Sequence, residues 1–222
     1  MELNRIYNID CIEGMKAIDD KSIDLVLTDI PYGECNGRKC HIRELNKGNA
    51  DIIDFELDEL TETIARKARQ SVYMFCGINQ VSSIRIKLAE LGMTTRLCIW
   101  EKTNPSPIAG EFLWLSNIEC CVFGRWPKAT FNEFCKGSVW HENCWGGQRI
   151  HPTQKPLQLF KRLILASSNE GDLILDPFSG SGTTAIAAKQ LKRNFIAFEK
   201  NKDFFESSVK RYNEETAQMS LF

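Results

Sequence analysis

The stretch Gly171–Ala188, Gly-Asp-Leu-Ile-Leu-Asp-Pro-Phe-Ser-Gly-Ser-Gly-Thr-Thr-Ala-Ile-Ala-Ala, constrains the fold of this chain more than any other. Leu173–Leu175 is a short apolar run suited to a buried parallel strand, residues 176–182 are small and contain Gly180 and Gly182, and a helix-forming run follows at once. The pattern is strand, tight turn, helix. Glycines carry no Cβ, so the turn can enter φ > 0 and admit a ligand close to the backbone, where the N–H groups of a helix start face outward. A nucleoside-bearing cofactor suits such a turn. The third glycine of the dinucleotide fingerprint is missing, with Ala185 three residues after Gly182. A dinucleotide fold and a plain structural turn therefore stay open on this piece alone. The run Asn194–Glu199 adds a further strand that ends in a carboxylate about 20 residues after the glycines, where an acid can accept bonds from ribose hydroxyls.

A chain of 222 residues suits one domain with a sizeable core, and a single α/β domain is expected. No apolar run approaches the roughly 20 residues of a membrane span, so a cytoplasmic protein without membrane contact is expected. Nine cysteines scattered through apolar runs read as reduced thiols rather than a disulfide framework. Cys35, Cys40 and His41 lack a matching second pair, so no metal is expected. A net charge of −1 argues against a general DNA-coating protein but leaves room for a local basic face. Positive excess gathers in irregular segments, in Gly33–Gly48 around Arg38, Lys39 and Arg43, and between Glu101 and Arg162 around Arg125, Lys128 and Arg149.

Along the chain, Arg5–Ile9 reads as a strand and Cys11–Ile18 as a short helix, with Asp10 at the junction as an N-cap candidate. Ser22–Thr28 is a strongly apolar strand ending in Asp29-Ile30-Pro31-Tyr32. Ligands of open α/β sheets bind beyond the carboxyl ends of strands, which is where Asp29 falls. Pro31 pushes Ile30 toward an extended conformation, and Tyr32 adds an aromatic face beside a carboxylate. The alternative is an ordinary strand-ending turn. Gly33–Ala50 is a long aperiodic loop of the kind that forms lids and binding loops. Helices are expected over Asp54–Gln70 and Asn79–Leu91, and strands over Ser71–Cys76, Thr94–Trp100 and Asn117–Phe123. This alternation implies a mostly parallel sheet covered on both faces. Arg125–Gln148 reads as irregular, with Trp126, Trp140 and Trp145 among basic residues, a composition compatible with nucleic-acid contact or with an aromatic hairpin packed on the domain. A turn at His151–Pro156 then leads into an apolar-faced helix reaching Ser167.

Three motifs, Asp29-Ile-Pro-Tyr32, His151-Pro-Thr-Gln-Lys-Pro156 and Asp176-Pro-Phe-Ser-Gly-Ser-Gly182, occur in that order and together resemble the amino-group DNA methyltransferases of the circularly permuted β class. The likeness covers nearly the whole chain. It implies a Rossmann-like, doubly wound methyltransferase fold with a catalytic half at residues 1–100, a small target-recognition insertion at 101–150 and a cofactor-binding half at 151–222. It also implies S-adenosylmethionine as cofactor, double-stranded DNA as partner, a possible homodimer, and methylation of adenine N6, or less often cytosine N4, on a flipped base.

Carried over by residue, Phe178, Gly180 and Gly182 would shape the cofactor turn, Asp176 would hold the methionine end, and Glu199 the ribose. Asp10 would meet the cofactor adenine, and Thr153 and Lys155 the methionine carboxylate. Asp29 and the Ile30 carbonyl would accept the two amino hydrogens of the target base, with Tyr32 stacked on its ring. Arg38, Lys39, Arg43, Arg125, Lys128 and Arg149 are the candidate DNA contacts. The family's tetrapeptide usually has proline where this chain has Ile30. That change keeps the carbonyl but frees one φ and adds an N–H to satisfy. The other readings are cytosine-N4 or RNA adenine methylation, a catalytically weak subunit that presents nucleic acid, and, more remotely, a dinucleotide dehydrogenase.

Overall fold

The computed structural model describes residues 1–33, 53–106, 113–144 and 154–217. Strand β1 (Arg5–Tyr7) leads through α1 (Cys11–Lys16) to β2 (Ile23–Asp29); α2 (Leu57–Lys67), β3 (Ala68–Cys76), α3 (Val81–Glu90) and β4 (Thr94–Lys102) follow. Then come β5 (Ile118–Arg125), β6 (Val139–Glu142), α4 (Leu157–Ser167), β7 (Leu173–Asp176), α5 (Thr183–Gln190), β8 (Asn194–Phe198) and α6 (Lys202–Ala217). The strands form one sheet in the order β1-β8-β7-β2-β3-β5-β4-β6. Every neighbouring pair is parallel except the two that involve β5.

The central place of β2 follows from its sequence. A strand buried on both faces needs an almost continuous apolar run, and Ile-Asp-Leu-Val-Leu supplies it. Side chains alternate across the sheet. Leu25 and Leu27 join the core beneath α4 and α5, with Leu159, Phe160, Leu163 and Ala188, while Val26 packs with Met15, Leu60, Ile64, Ile84 and Leu88 of α1–α3 on the other face. The one acid inside the run, Asp24, is bonded by Gln70 Nε2 and the Leu173 amide, each at 2.9 Å, and so ties β3 and β7 to β2. The expected α/β fold with a mostly parallel, doubly covered sheet is present.

Within residues 101–150, expected to form a small target-recognition insertion, the described strands β5 and β6 belong to the main sheet. Cys120-Cys121-Val122 is buried between β3 and β4, so the chain doubles back antiparallel after β4 to fill the sheet rather than leave it. Within the segment read as irregular, Val139–Glu142 adds β6 at the edge, and Trp140 buries itself against Tyr73 and Phe75. Helix α6, which sequence reasoning passed over, packs Ser208 and Arg211 behind the glycine turn. No helix among the described residues is long and apolar enough to cross a membrane.

The β2–β3 ladder runs one residue past Asp29, since the Ile30 N–H donates to the Phe75 carbonyl at 3.1 Å. Ile30 itself lies fully in the core. The extra N–H that an isoleucine brings to this position is thereby satisfied. Substituting Ile30→Pro deletes the donor and orphans a carbonyl, and is expected to lower the unfolding free energy by about 1–3 kcal/mol. Urea denaturation of the two proteins checks this, and an unchanged midpoint and slope would show that the bond contributes nothing.

Candidate active site

Four strands of the parallel set, β1, β2, β7 and β8, end around one cavity of about 850 Å³. Its walls are Asp10–Ile12, Asp29–Tyr32, Asp176–Ser181 and Phe198–Asn201, with Ile53–Glu56 and Lys155 completing the rim. A cavity of this size lies in the range that encloses small-molecule ligands, at the place where open α/β sheets bind them.

The glycine turn forms one wall. Gly180 and Gly182 have φ of 49° and 75°, the left-handed region that favours glycine. A Cβ on Gly182 would also stand 3.3 Å from the Ser208 carbonyl oxygen of α6. Arg211 of the same helix donates to the Ser181 carbonyl and the Thr183 hydroxyl, both at 3.0 Å, and so fixes the turn from behind. Glu199 fixes it from the front: its Oε2 accepts the Gly180 N–H at 2.9 Å and its Oε1 the Asn201 N–H at 2.8 Å. Asp176 is buried beneath the turn, where it accepts the Thr184 hydroxyl at 2.5 Å and the Phe178 N–H at 3.1 Å. Burial outweighs these bonds and pushes the Asp176 carboxyl up to about 7. Phe178 packs on Phe55, with ring centroids 5.5 Å apart. Across the cavity, Asp10 caps α1 by accepting the Ile12 N–H at 2.9 Å, and its other oxygen meets Lys200 at 3.2 Å.

The opposite wall is a cluster of charges. Lys155 Nζ lies 2.5 Å from Asp29 Oδ2 and 3.0 Å from Glu119 Oε2. Lys102 Nζ holds the other oxygen of Glu119 at 2.8 Å. The Tyr32 hydroxyl donates to Asp29 Oδ1 at 2.7 Å and stands 3.2 Å from Glu119 Oε2. Side-chain exposures of 6% for Lys155, 15% for Asp29 and 20% for Glu119 let burial compete with the ion pairs. For Glu119 burial opposes ionisation, but Lys155 and Lys102 prevail and draw its carboxyl down to about 2. For Asp29 burial prevails, reinforced by the charge of Glu119, so its carboxyl is raised despite Lys155. Burial also works against the ammonium of Lys155, yet the two carboxylates hold it protonated above the ordinary lysine range. The tetrapeptide backbone is fixed twice, at the Ile30 N–H by Phe75 and at the Pro31 carbonyl by Gln80 Nε2 at 3.0 Å.

A family model described as DNA methylase matches residues 120–210. The type II methyltransferase M2.MboI of Moraxella bovis is 33% identical over 95% of this chain and 88% of its own length. M.HinfI of Haemophilus influenzae is 30% identical over 96% of this chain and 69% of its own. The chain belongs to the DNA methylase family of N6/N4 type. The solved structure of the M1.HpyAVI–SAM complex is similar to it with a TM-score of 0.74 and 28% identity, covering 93% of this chain and 98% of that one. The cytosine-N4-specific PvuII methyltransferase shares the fold, with a TM-score of 0.73 at 16% identity over 96% of this chain and 91% of its own.

In this methylase, Asp10, Asp29, Ile30, Pro31, Tyr32, Lys155, Asp176, Phe178, Gly180 and Glu199 all line the one cavity, and Gly182 supports its turn. Lys155, expected at a cofactor carboxylate, is engaged with Asp29 and Glu119. Arg125 and Lys128 are not brought to the site. Arg125 pairs with Ser71 and Thr94 at the end of the sheet opposite Asp29, and Lys128 follows it in a turn. Thr153, Arg38, Lys39, Arg43 and Arg149 lie outside the described residues. Sequence reasoning missed Glu119, Lys102, Gln80 and Arg211. A signal existed for Glu119 alone, as an acid at the head of the apolar run Cys120–Phe123.

The raised Asp176 carboxyl has a consequence for stability. A folded-state value of about 7 against an ordinary 3.8 means that the stabilising proton is fully bound below the unfolded value and is lost as pH rises through 7. Between pH 5 and pH 8 this one group is expected to remove about 2–3 kcal/mol. Asp176→Asn cannot titrate, so its stability relative to the parent should rise over the same interval. Urea unfolding at the two pH values measures the difference, and parallel behaviour of the two proteins would exclude a neutral Asp176.

Proposed function

We propose that this methylase transfers the methyl group of S-adenosylmethionine to the exocyclic N6 of adenine in double-stranded DNA, acting on a base turned out of the stack. The observation that carries this reading is that one cavity joins the Asp29–Tyr32 wall to the Gly180–Glu199 wall. Its lining is also acidic, with seven carboxyl groups against two lysines, although Asp176 is raised to about 7. An acidic cavity suits a ligand with a sulfonium and an ammonium and disfavours the pyrophosphate of a dinucleotide, which weighs against a dehydrogenase. When bound, S-adenosylmethionine supplies a methyl group activated on a positive sulfur.

The chain's own residues account for the rest. Glu199 keeps lone pairs beyond those given to Gly180 and Asn201, with which it would accept ribose hydroxyls. Asp10, held by α1 and Lys200, borders the space for the purine. Asp176 and the turn Phe178–Gly182 would hold the methionine end. An aromatic amine is a poor nucleophile because its lone pair is delocalised into the ring. Two acceptors that take its two hydrogens draw the nitrogen toward tetrahedral geometry and aim the lone pair. Asp29 and the Ile30 carbonyl are suited to that task, the latter lying between two fixed points of the backbone. Tyr32 would stack on the extruded base. Within the family, aspartate rather than serine at position 29 leans toward adenine over cytosine, and this supports the adenine reading. Arg38, Lys39 and Arg43, our proposed DNA contacts, belong to a segment whose flanks, Tyr32 and Ile53, both border the cavity. Double-stranded DNA is the proposed partner, read by one copy or by two.

Incubation with isotopically labelled S-adenosylmethionine and defined duplexes, followed by nucleoside mass spectrometry, is expected to yield N6-methyladenine. N4-methylcytosine in its place would overturn the adenine reading, and cofactor binding without any transfer would favour a nucleic-acid-presenting subunit. Asp29→Asn preserves shape while weakening the acceptor; kcat should fall about 100-fold or more, with cofactor affinity nearly unchanged. A collapse of cofactor affinity in this variant would show that Asp29 serves the cofactor.

A further inference from the structure

Asp29 receives an amine only in competition with two donors already bound. Its Oδ1 accepts the Tyr32 hydroxyl and its Oδ2 the Lys155 ammonium, so each oxygen already serves a strong donor. An arriving amino hydrogen shares an oxygen with one of them and weakens that bond. A donor left without a partner in a largely buried site costs free energy, more so when charged, and this would count against binding. The fold supplies a second acceptor. Glu119, at the start of β5, projects one oxygen to within 3.2 Å of the Tyr32 hydroxyl and 3.0 Å of Lys155 Nζ. Both donors that occupy Asp29 therefore already touch Oε2 of Glu119. The other oxygen is held at 2.8 Å by Lys102 of β4, which fixes the direction of the carboxylate. Glu119 touches Lys155, which lines the cavity, but is not itself part of the lining.

We propose that Glu119 is a positioning residue that takes over the Tyr32 hydroxyl and draws on the Lys155 ammonium when the target amine docks, freeing an oxygen of Asp29 for an amino hydrogen. The proposal rests on the reading of Asp29 as the amine acceptor. The exchange moves hydrogen bonds only. No proton leaves its oxygen or nitrogen, and two carboxylates with two ammonium groups keep the cluster neutral throughout. Glu119 thus has two separable properties, its reach to Tyr32 and its charge beside Asp29.

The charge is readable in the titration of Asp29, whose surroundings are Tyr32, Lys155, Cys76 of β3, Glu119 and Cys121 of β5, and Asp176 of β7. Glu119 is among the groups that raise the Asp29 carboxyl, so its neutralisation should lower that value. In Glu119→Gln, kcat is expected to fall about 10- to 100-fold, with the KM for S-adenosylmethionine unchanged. The acid limb of the kcat profile should move to lower pH, and the Asp29 carboxyl should titrate lower in the ¹³C NMR spectrum of the free protein. Glu119→Asp keeps the charge and loses reach, so it should leave the Asp29 titration near that of the parent while still losing kcat. Parental kcat in Glu119→Asp, or an unchanged Asp29 titration together with parental kcat in Glu119→Gln, overturns the exchange. Failure of the parent protein itself to methylate DNA would instead overturn the proposed function.

Discussion

The ion pair between Asp29 and Lys155 joins residues 126 positions apart and holds the Asp29–Tyr32 wall of the cavity together. Its chemistry is set by a shortage of water. Two largely buried carboxylates, Asp29 and Glu119, share one lysine, and they are not equivalent because, among the described residues, only Glu119 has a second cation, Lys102. The consequence is a strong acid beside a weakened one. Glu119 stays ionised while Asp29 keeps a raised carboxyl, a division that arises wherever like charges are packed with unequal neighbours. A buried pair of this kind is a poor source of stability, because desolvation offsets most of the attraction. Its value lies in fixing donors and acceptors to within a hydrogen-bond length.

Sheet topology determines which groups can enter that arrangement. Strands β2 and β7 are neighbours, in register at Leu25 with Ile174 and Val26 with Leu175, so Asp29 and Asp176 emerge at the same end of the sheet. The acid on β7 therefore sits within reach of the charge on β2, although burial dominates its own raised value. Antiparallel β5 then brings Glu119 in from the opposite chain direction, just beyond the last β3–β5 pair, Cys76 with Cys120. Parallel strands alone would have delivered only their carboxyl ends to the cavity. The one reversed strand brings an amino end against Lys155 and Tyr32 of its wall.

That reversal also explains what can and cannot be read from the chain. Asp29 and the Gly180–Gly182 turn are legible because their meaning is local: an acid closing an apolar run, and small residues between a strand and a helix. The separation of Glu199 from the glycines is legible for the same reason. Glu119 is different, because nothing local says that Cys120–Phe123 will turn back into the sheet between β3 and β4 rather than form an outlying hairpin. Strand β6 has four residues with a single buried side chain, Trp140, too little alternation to rise above its aromatic surroundings. Arg211 sits on α6 and acts through two groups of the glycine turn about 30 residues earlier, a tertiary relation with no periodic trace.

Ile30 illustrates how a departure from a family pattern can be absorbed. Proline at that position would fix φ covalently and carry no N–H. With isoleucine the restraint must come from outside the residue, and two bonds bracket the peptide that follows it. The Ile30 N–H is held by Phe75, and the Pro31 carbonyl by Gln80, whose own oxygen accepts the Gly77 N–H at 2.8 Å. Both anchors come from β3 or the turn after it. The carbonyl between them is thus positioned by the strand neighbouring Asp29 rather than by a ring of its own. Rigidity has moved from one covalent ring to a hydrogen-bonded frame, and that frame includes a buried isoleucine side chain that a proline would not fill. The Asp29–Tyr32 wall consequently depends on the integrity of β3, and changes around Phe75, Gly77 or Gln80 reach it through the backbone.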